Sequence, residues 1–157
     1  MSRPSLLSAA LIALATLAPA ALDAQVPSQA SEVEREAVRR AALDYLEGFY
    51  EGDTTKLVRS LSPTLVKYGY FIPRGQSAYT GEPMSYAEAI GYARGVKQRN
   101  QPAPATAPKD VMLLDVLDQT AAVKVVAWWG SDYLHLAKVD GRWMIQHVMW
   151  QTSPPRD

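Results

Sequence analysis

The last third of the chain alternates apolar and polar positions in three runs, which are separated by two turn signals. Residues 121–151 read AAVKVVAWWGSDYLHLAKVDGRWMIQHVMWQ, with the breaks at Gly130-Ser131 and Asp140-Gly141. Asp-Gly between alternating apolar runs favours a two-residue hairpin turn, because both turn residues need a positive φ. Another strand-like run, 111–117, comes before them. The pattern therefore predicts a four-stranded antiparallel meander at the end of the chain.

Counting outward from the two turns predicts which residues of the meander share a face. Two-residue loops place Leu136 opposite Ile145, Leu134 opposite His147, and Ala127 opposite Leu134. The predicted core face then contains Val123, Val125, Ala127, Trp129, Asp132, Leu134, Leu136, Trp143, Ile145, His147 and Met149. The opposite face contains Lys124, Val126, Trp128, Tyr133, His135, Ala137, Arg142, Met144, Gln146, Val148 and Trp150. A slip of one residue would exchange the two faces.

Upstream of the meander, the period of the apolar residues changes to that of helices. Ser31-x-x-Glu34 is a capping box, and an apolar stripe at Val38, Ala42, Tyr45 and Phe49 follows it. This spacing predicts a helix over 32–51 that stops at Gly52. Asp53 then caps a second, short helix over 54–61.

The middle of the chain predicts a strand and a third helix. Residues 65–72 (LVKYGYFI) have the composition of a strand, and a shorter extended stretch is expected near 77–80. A second capping box, Ser85-x-x-Glu88, begins the third helix. Three helices on one side of a curved antiparallel sheet, made of the meander and one or two upstream strands, form an α+β fold.

Composition narrows the function classes further. The 157 residues are 48% apolar, enough for one domain with a real core, and 16 basic residues balance 16 acidic ones. A neutral chain lacks the cationic excess on which nucleic-acid and polybasic membrane binders rely. With no cysteine and two histidines, no metal and no cofactor are expected.

The N-terminus has the pattern of a signal peptide. Arg3 precedes an apolar run over 6–18, and small residues follow as far as Ala24. We expect cleavage after Ala24, with Ala20 as the alternative site, and a mature protein that is secreted or periplasmic. The alternative of an uncleaved anchor is disfavoured because the run is shorter than the roughly 20 residues that span a bilayer. The expected organisation is a signal peptide (1–24), a linker (25–31), one domain (32–151) and a disordered tail (152–157).

The order and spacing of several short motifs resemble a known family. The matching positions are Tyr45 and Phe49 before Gly52-Asp53, Pro63 with Lys67, Asp132-Tyr133-Leu134, and Asp140-Gly141-x-Trp143-x-Ile145. Together they resemble the nuclear transport factor 2-like superfamily, and within it the putative lumazine-binding family. The chain departs from the pattern at Ser62, where a histidine is expected, and at His147, where many relatives have asparagine.

This resemblance implies a cone, in which the sheet curls around a pocket that the helices close. The superfamily includes ketosteroid isomerases, polyketide cyclases and epoxide hydrolases, but also binding and dimerisation modules. The fold therefore does not decide the function.

Two polar residues stand out on the predicted core face. Asp132 and His147 are predicted to be diagonal neighbours across a hairpin, where a carboxylate and an imidazole could act as general base and orienting group. The alternative interpretation is structural: Asp132 caps the turn at Gly130-Ser131, and His147 is a rim residue bonded to it.

Aromatic residues provide the other candidates. Six of them could line a pocket for a flat ligand or simply fill the core: Tyr45, Phe49, Tyr68, Tyr70, Trp129 and Trp143. Four residues of the opposite face are expected to form a homodimer interface: Trp128, Tyr133, His135 and Trp150.

Three functions remain open on this basis. The first is a protein that binds a small hydrophobic or aromatic molecule without turning it over. The second is a pocket enzyme of the isomerase, cyclase or hydrolase type, with Asp132, His147 and a tyrosine as oxyanion donor. The third is an interaction module whose cone is filled by its own side chains.

Overall fold

The computed structural model describes residues 30–153. The whole of the predicted signal peptide (1–24), most of the predicted linker (25–31) and the end of the predicted tail (152–157) lie outside this range. The described chain forms three helices and six strands in this order: α1 (Glu32–Glu51), α2 (Thr54–Ser60), β1 (Leu61–Phe71), β2 (Thr80–Met84), α3 (Tyr86–Arg99), β3 (Asp110–Val116), β4 (Thr120–Ala127), β5 (Gly130–Val139) and β6 (Arg142–Gln151). Within residues 30–153, no helix is both long and apolar enough to cross a bilayer.

Helix α1 has the predicted bounds. The Ser31 hydroxyl accepts a hydrogen bond from the Glu34 backbone amide, and Gly52 ends the helix in the left-handed conformation at φ 70°. The predicted apolar stripe is buried, with Val38 and Tyr45 completely shielded from solvent. Helix α1 thus lies across the inner face of the sheet and closes one side of the fold.

The two shorter helices also begin at the predicted caps. The Asp53 carboxylate accepts hydrogen bonds from two amides at the start of α2. Ser85 and Glu88 form the reciprocal capping box of α3, and Asn100 ends that helix at φ 51°. The α+β prediction with three helices is confirmed.

The sheet is mixed, whereas an antiparallel sheet was predicted. Its strand order is β2-β1-β6-β5-β4-β3, and the last four strands in the chain form the predicted meander. Strand β1 pairs in parallel with β6, and β2 pairs antiparallel with β1. The meander therefore ends beside a strand that lies about eighty residues earlier in the chain.

The turn between β5 and β6 is the predicted one, but the register beyond it changes. Asp140 and Gly141 both have positive φ, 49° and 76°. The pairing of Leu136 with Ile145 is as predicted. The next pair, however, is His135 with His147, so one extra residue of β6 forms a bulge.

Because of this bulge, the residues at the end of β6 lie on the opposite faces from those predicted. His147 and Met149 are exposed on the outer face of the sheet, while Val148 and Trp150 turn inward. The prediction was wrong at these four positions because an inserted residue reverses the alternation.

The turn between β4 and β5 lies two residues earlier than predicted. Ala127 pairs with Gly130, so the loop consists of Trp128 and Trp129. The shift is an even number of residues, and the inward and outward sides are therefore unchanged. Asp132 is fully buried on the inner face, as predicted.

Strand β1 is longer than predicted, and its inward side carries an unexpected residue. It begins at Leu61, within the stretch predicted to be helical. Lys67 and Gly69 are buried on the inner face, whereas Tyr68 and Tyr70 are exposed on the outer face. Strand β2 follows at 80–84, later than the extended stretch expected near 77–80.

Candidate functional site

An open cavity of about 540 Å³ lies between the inner face of the sheet and helices α1 and α3. Phe49 and Lys67 are its most buried lining residues, while Tyr92 and Trp128 are exposed. The cavity therefore has an inner end at α1 and β1, and a mouth at α3 and the turn between β4 and β5. Its lining consists of Phe49, Lys67, Phe71, Glu82, Met84, Tyr92, Trp128, Trp129, Trp150 and Thr152.

Aromatic rings form most of the cavity wall. Phe71 stacks on Trp150 with nearly parallel planes, 6.5 Å between ring centroids. Phe49 meets Trp129 edge to face at 5.9 Å. Such walls fit a flat apolar molecule, because they offer both ring faces and ring edges for packing.

A buried chain of polar groups lies at the inner end. The Lys67 Nζ donates a hydrogen bond to the Tyr45 hydroxyl at 2.5 Å, and that hydroxyl donates to Oδ2 of Asp132. The other carboxylate oxygen of Asp132 accepts from the Trp129 indole nitrogen at 2.7 Å. The Lys67 Nζ lies 3.6 Å from Asp132 Oδ2. Every polar group in this chain thus has a partner, as a buried site requires.

Burial determines the protonation behaviour of this chain. It lowers the pKa of the Lys67 ammonium, and the nearby Asp132 carboxylate opposes that shift. Burial, together with the negative charge of Asp132, raises the pKa of Tyr45 well above its ordinary value. Tyr45 therefore remains a neutral hydrogen-bond donor to Asp132 across the physiological range.

Three aromatic rings surround the Lys67 Nζ. It lies 5.1 Å from the centroid of Tyr45, and 5.4 Å from those of Phe49 and Trp150. Ring faces attract a cation, which offsets part of the cost of removing an ammonium from water.

Two of the six predicted aromatic pocket residues line the cavity: Phe49 and Trp129. Tyr45 lies behind Lys67 and touches the site through its hydroxyl. Tyr68 and Tyr70 were expected in the pocket, and this placement is wrong because their alternation along β1 directs them to the outer face. Trp143 is inward but distant from the cavity; its indole donates to Glu34 near the start of α1.

The predicted pair of Asp132 and His147 is not brought together. Asp132 is fully buried, whereas His147 lies beside His135 on the outer face, with 6.3 Å between their ring centroids. The sheet itself separates the two side chains. The partners of Asp132 are instead Tyr45, Trp129 and Lys67.

Lys67 and Trp150 were not among the predicted site residues. Lys67 carried a signal, since the alternation of Leu65, Lys67, Gly69 and Phe71 fits one side of a strand. The other side, with Val66, Tyr68 and Tyr70, is more apolar, and this pattern predicts that it faces the pocket. Trp150 would have required knowledge of the bulge in β6.

The fold and the site together define a class of protein. A curved sheet closed by helices around an aromatic cavity is the architecture of cone-shaped α+β proteins with an internal pocket. The model of the putative lumazine-binding family matches residues 33–151. The chain therefore belongs to that family, and it has the nuclear transport factor 2-like fold.

Solved structures confirm the fold. A nuclear transport factor 2-like protein of unknown function from Methylobacillus flagellatus matches with a TM-score of 0.60 at 17% identity, covering 79% of this chain and 95% of its own. One from Shewanella baltica matches with a TM-score of 0.54 at 20% identity, covering 81% and 100%. One from Silicibacter pomeroyi has the same TM-score at 18% identity, covering 76% and 97%. No functionally curated protein matches the chain.

The part of the chain that the structure describes contains no cluster of metal-binding side chains. Within 30–153, no group of three or more acidic, histidine or cysteine side chains is placed to hold an ion.

Proposed function

We propose that this protein binds a small, flat, hydrophobic or aromatic molecule in the cone cavity, without turnover. The observation that carries the proposal is the aromatic cavity of about 540 Å³ with one buried cation, Lys67, at its inner end. Ligand pockets usually measure about 300–1,000 Å³ and combine apolar walls with a few polar groups. The cavity has both properties.

The polar groups of the cavity limit the chemistry of the ligand. Lys67 uses one ammonium hydrogen on Tyr45, so a ligand oxygen at the inner end can accept another. Glu82, on β2, is an exposed residue of the cavity lining, and its carboxylate would repel an anion. The charges of Lys67 and Asp132 also balance each other. These features favour a neutral aromatic molecule with one carbonyl or hydroxyl oxygen directed inward.

The alternative functions receive less support. An enzyme using Asp132 and His147 would need both in one cavity, but they lie on opposite sides of the sheet. A cone filled by its own side chains would leave no room for a ligand, whereas here Phe49, Trp129 and Trp150 surround open space.

Tryptophan fluorescence tests the binding proposal, because three of the four tryptophans line the cavity. Titration of the mature protein with 2-naphthol should quench this fluorescence in a saturable way. Phe71→Ala should weaken binding about tenfold, since an aromatic contact contributes about 1–2 kcal/mol.

Tyr70→Ala is the matched control for that variant. It removes the neighbouring ring of the same strand, but Tyr70 lies on the outer face and should leave the affinity unchanged. Equal losses in both variants, or no saturable quenching by 2-naphthol, would contradict the proposed site.

We further propose that two copies associate through the outer face of the sheet. Exposed apolar side chains form a row across strands β1, β6, β5 and β3, with Lys124 of β4 between the last two. The row is Tyr68, Met149, Tyr133, Lys124 and Met112, each paired with the next. A second copy would cover this row. Tyr133 and His135 belong to this face, as expected from the sequence.

Two residues expected in that interface lie elsewhere. Trp150 is directed into the cavity because of the bulge in β6, and Trp128 lies in the turn at the cavity mouth. The proposed interface therefore contains Tyr68 and Met149 in their place.

The proposed location is outside the cytoplasm, supported by the sequence pattern of residues 1–24. Fractionation of producing cells, followed by N-terminal sequencing, tests it. A mature chain that begins at Gln25 in the periplasm is the expected result. An uncut chain in the cytoplasm would contradict the proposed location.

A further inference from the structure

The amine of Lys67 has an unusual position for a lysine. Its side chain is 5% exposed, yet it lines the cavity and its Nζ is bonded to Tyr45. It extends from β1, a strand held between β2 and β6, so the backbone that carries it is fixed on both sides. A bound molecule would therefore meet this amine in one defined place.

The polar chain behind Lys67 offers its proton a place to go. With Tyr45 neutral, the chain has no net charge when Lys67 is an ammonium and Asp132 a carboxylate. It also has none when Lys67 is an amine and Asp132 a carboxylic acid. The Tyr45 hydroxyl links the two, since it accepts from Lys67 and donates to Asp132. Proton transfer along this chain produces a nucleophilic amine without leaving a net charge in an apolar site.

We infer that Lys67 forms an imine with the carbonyl carbon of an aromatic aldehyde or ketone bound in the cavity. This inference rests on the proposed binding function and names its ligand class. The structural support is the position of the amine at the inner end of the cavity, where the proposed ligand directs its oxygen. The aromatic walls select flat carbonyl compounds over polar sugars or anionic keto acids, and the carboxylate of Glu82 in the cavity lining disfavours the keto acids.

The reaction balances without an oxidant or a reductant. The Nζ electron pair attacks the carbonyl carbon and forms the C–N bond, while the carbonyl oxygen gains a proton and becomes a hydroxyl. The nitrogen then loses one proton to Asp132 through Tyr45. Asp132 returns a proton to the hydroxyl, which leaves as water while the nitrogen electron pair forms the C=N bond. The product is a protonated imine, with Asp132 again a carboxylate. The rings of Tyr45, Phe49 and Trp150 would stabilise a protonated imine as they stabilise the ammonium.

A purely structural ion pair is the alternative role for Lys67. In that role it would remain an ammonium and would not react with a carbonyl. Burial, which lowers the pKa of Lys67, favours the reactive form. Only the imine-forming role therefore gives a covalent product on Lys67 that can be captured.

Reductive trapping on the full mature chain provides the test. The protein is incubated near neutral pH with 2-naphthaldehyde, reduced with sodium borohydride, and analysed by intact mass and peptide mapping. The expected product carries one added group on Lys67. Labelling there should exceed that of any exposed lysine by about tenfold or more, since binding holds the carbonyl beside the amine.

Two variants and one competitor complete the test. Lys67→Arg should abolish the adduct, while Lys97→Arg, which changes an exposed lysine of α3, should retain it. Excess 2-naphthalenemethanol, the corresponding alcohol, should protect Lys67 but not surface lysines. The peptide map of the unaltered protein decides the question even if Lys67→Arg fails to fold.

The outcomes separate this inference from the proposed function. If the alcohol binds and quenches fluorescence but the aldehyde labels surface lysines alone, or nothing, imine formation is overturned and binding stands. If neither compound binds, both proposals fail. Label on Lys67 that the alcohol blocks supports both.

Discussion

The indole of Trp150 lies directly against the backbone of Gly69, where any side chain would overlap it. A Cβ built at Gly69 would clash with the ring, because the two neighbouring strands β1 and β6 bring them together. Trp150 in turn stacks on Phe71 and forms one wall of the cavity. The glycine therefore determines the shape of the cavity.

Gly69→Ala should displace Trp150 and weaken binding of 2-naphthol. Overpacking of this kind costs about 1–3 kcal/mol in the free energy of unfolding. Urea denaturation and fluorescence titration measure the two effects. Gly91→Ala is the control, since Gly91 lies in helix α3 with open space around it. This variant should gain up to about 1 kcal/mol in the free energy of unfolding, because alanine favours a helix more than glycine does. Unchanged binding in Gly69→Ala would contradict the role of Trp150 as a cavity wall.

Asp132 and Lys67 should depend on each other for stability. Asp132→Ala leaves the Lys67 ammonium buried without its countercharge, and this should cost about 3–5 kcal/mol. Lys67→Met in the same chain should recover most of the loss, because no uncompensated buried charge remains. Urea denaturation of the two single variants and the double variant forms the cycle. Additive effects would show that the pair is not coupled.

Tyr50 should control the mouth of the cavity. Its hydroxyl donates to the Pro108 carbonyl at 2.6 Å and accepts from the Trp128 amide at 3.0 Å. Tyr50→Phe removes both bonds and should cost about 1–2 kcal/mol, since an ordinary hydrogen bond contributes about 1 kcal/mol. The turn at Trp128-Trp129 should then loosen, and 2-naphthol should dissociate faster in stopped-flow fluorescence. Equal dissociation rates would contradict the role of this turn.

A charge on the outer sheet face should separate the proposed dimer. Met149 and Tyr133 pair with each other at the centre of the exposed row. Met149→Glu should give a monomer in sedimentation velocity, because a buried carboxylate without a partner is costly. Val58→Glu is the control: Val58 is exposed on α2, away from this face, and should leave the assembly unchanged. A monomeric unaltered protein would contradict the interface.

The start of α1 should loosen in acid. Glu34 accepts hydrogen bonds from Trp143 at 2.6 Å and forms an ion pair with Lys138 at 2.8 Å. The hydrogen bond from Lys138, followed by that from Trp143, lowers the pKa of Glu34 from 4.5. A lowered folded-state pKa stabilises the protein above the unfolded value, and this contribution is lost as the pH falls through the folded value.

Glu34→Gln should therefore flatten the loss of stability below pH 4.5, as measured by thermal unfolding across pH. Glu36→Gln, at an exposed position on the same helix, should follow the unaltered protein. An identical acid profile in Glu34→Gln would show that this contact contributes little.

Local signals in the sequence predicted much of the fold. The helix caps at Ser31, Asp53 and Ser85 act over three or four residues, so their identity was sufficient to place the helix starts. The turn at Asp140-Gly141 was equally local, because few residues adopt two successive positive φ angles. The resemblance of the motifs to the putative lumazine-binding family identified the family that the comparison confirmed.

The polar site could be predicted only in part. The sequence pattern predicts that Asp132 is a buried carboxylate that needs a partner, but it indicates His147 as that partner. The true partners are Trp129, three residues earlier, Tyr45, from a helix 87 residues earlier, and Lys67. The spacing of residues along the chain gives no information on contacts between residues as far apart in sequence as Asp132 and Tyr45.

By itself, the sequence determined the helices, the terminal meander and the aromatic content of the interior, because caps, turns and periodicity act between near neighbours. Only the tertiary structure decided which side of β1 and of the end of β6 faces inward. Each of these strands has apolar residues on both of its sides, so the pattern alone cannot decide which side faces inward. The choice follows from the bulge in β6 and from the need of Asp132 for the buried cation Lys67, since an unpaired carboxylate in this interior would be too costly.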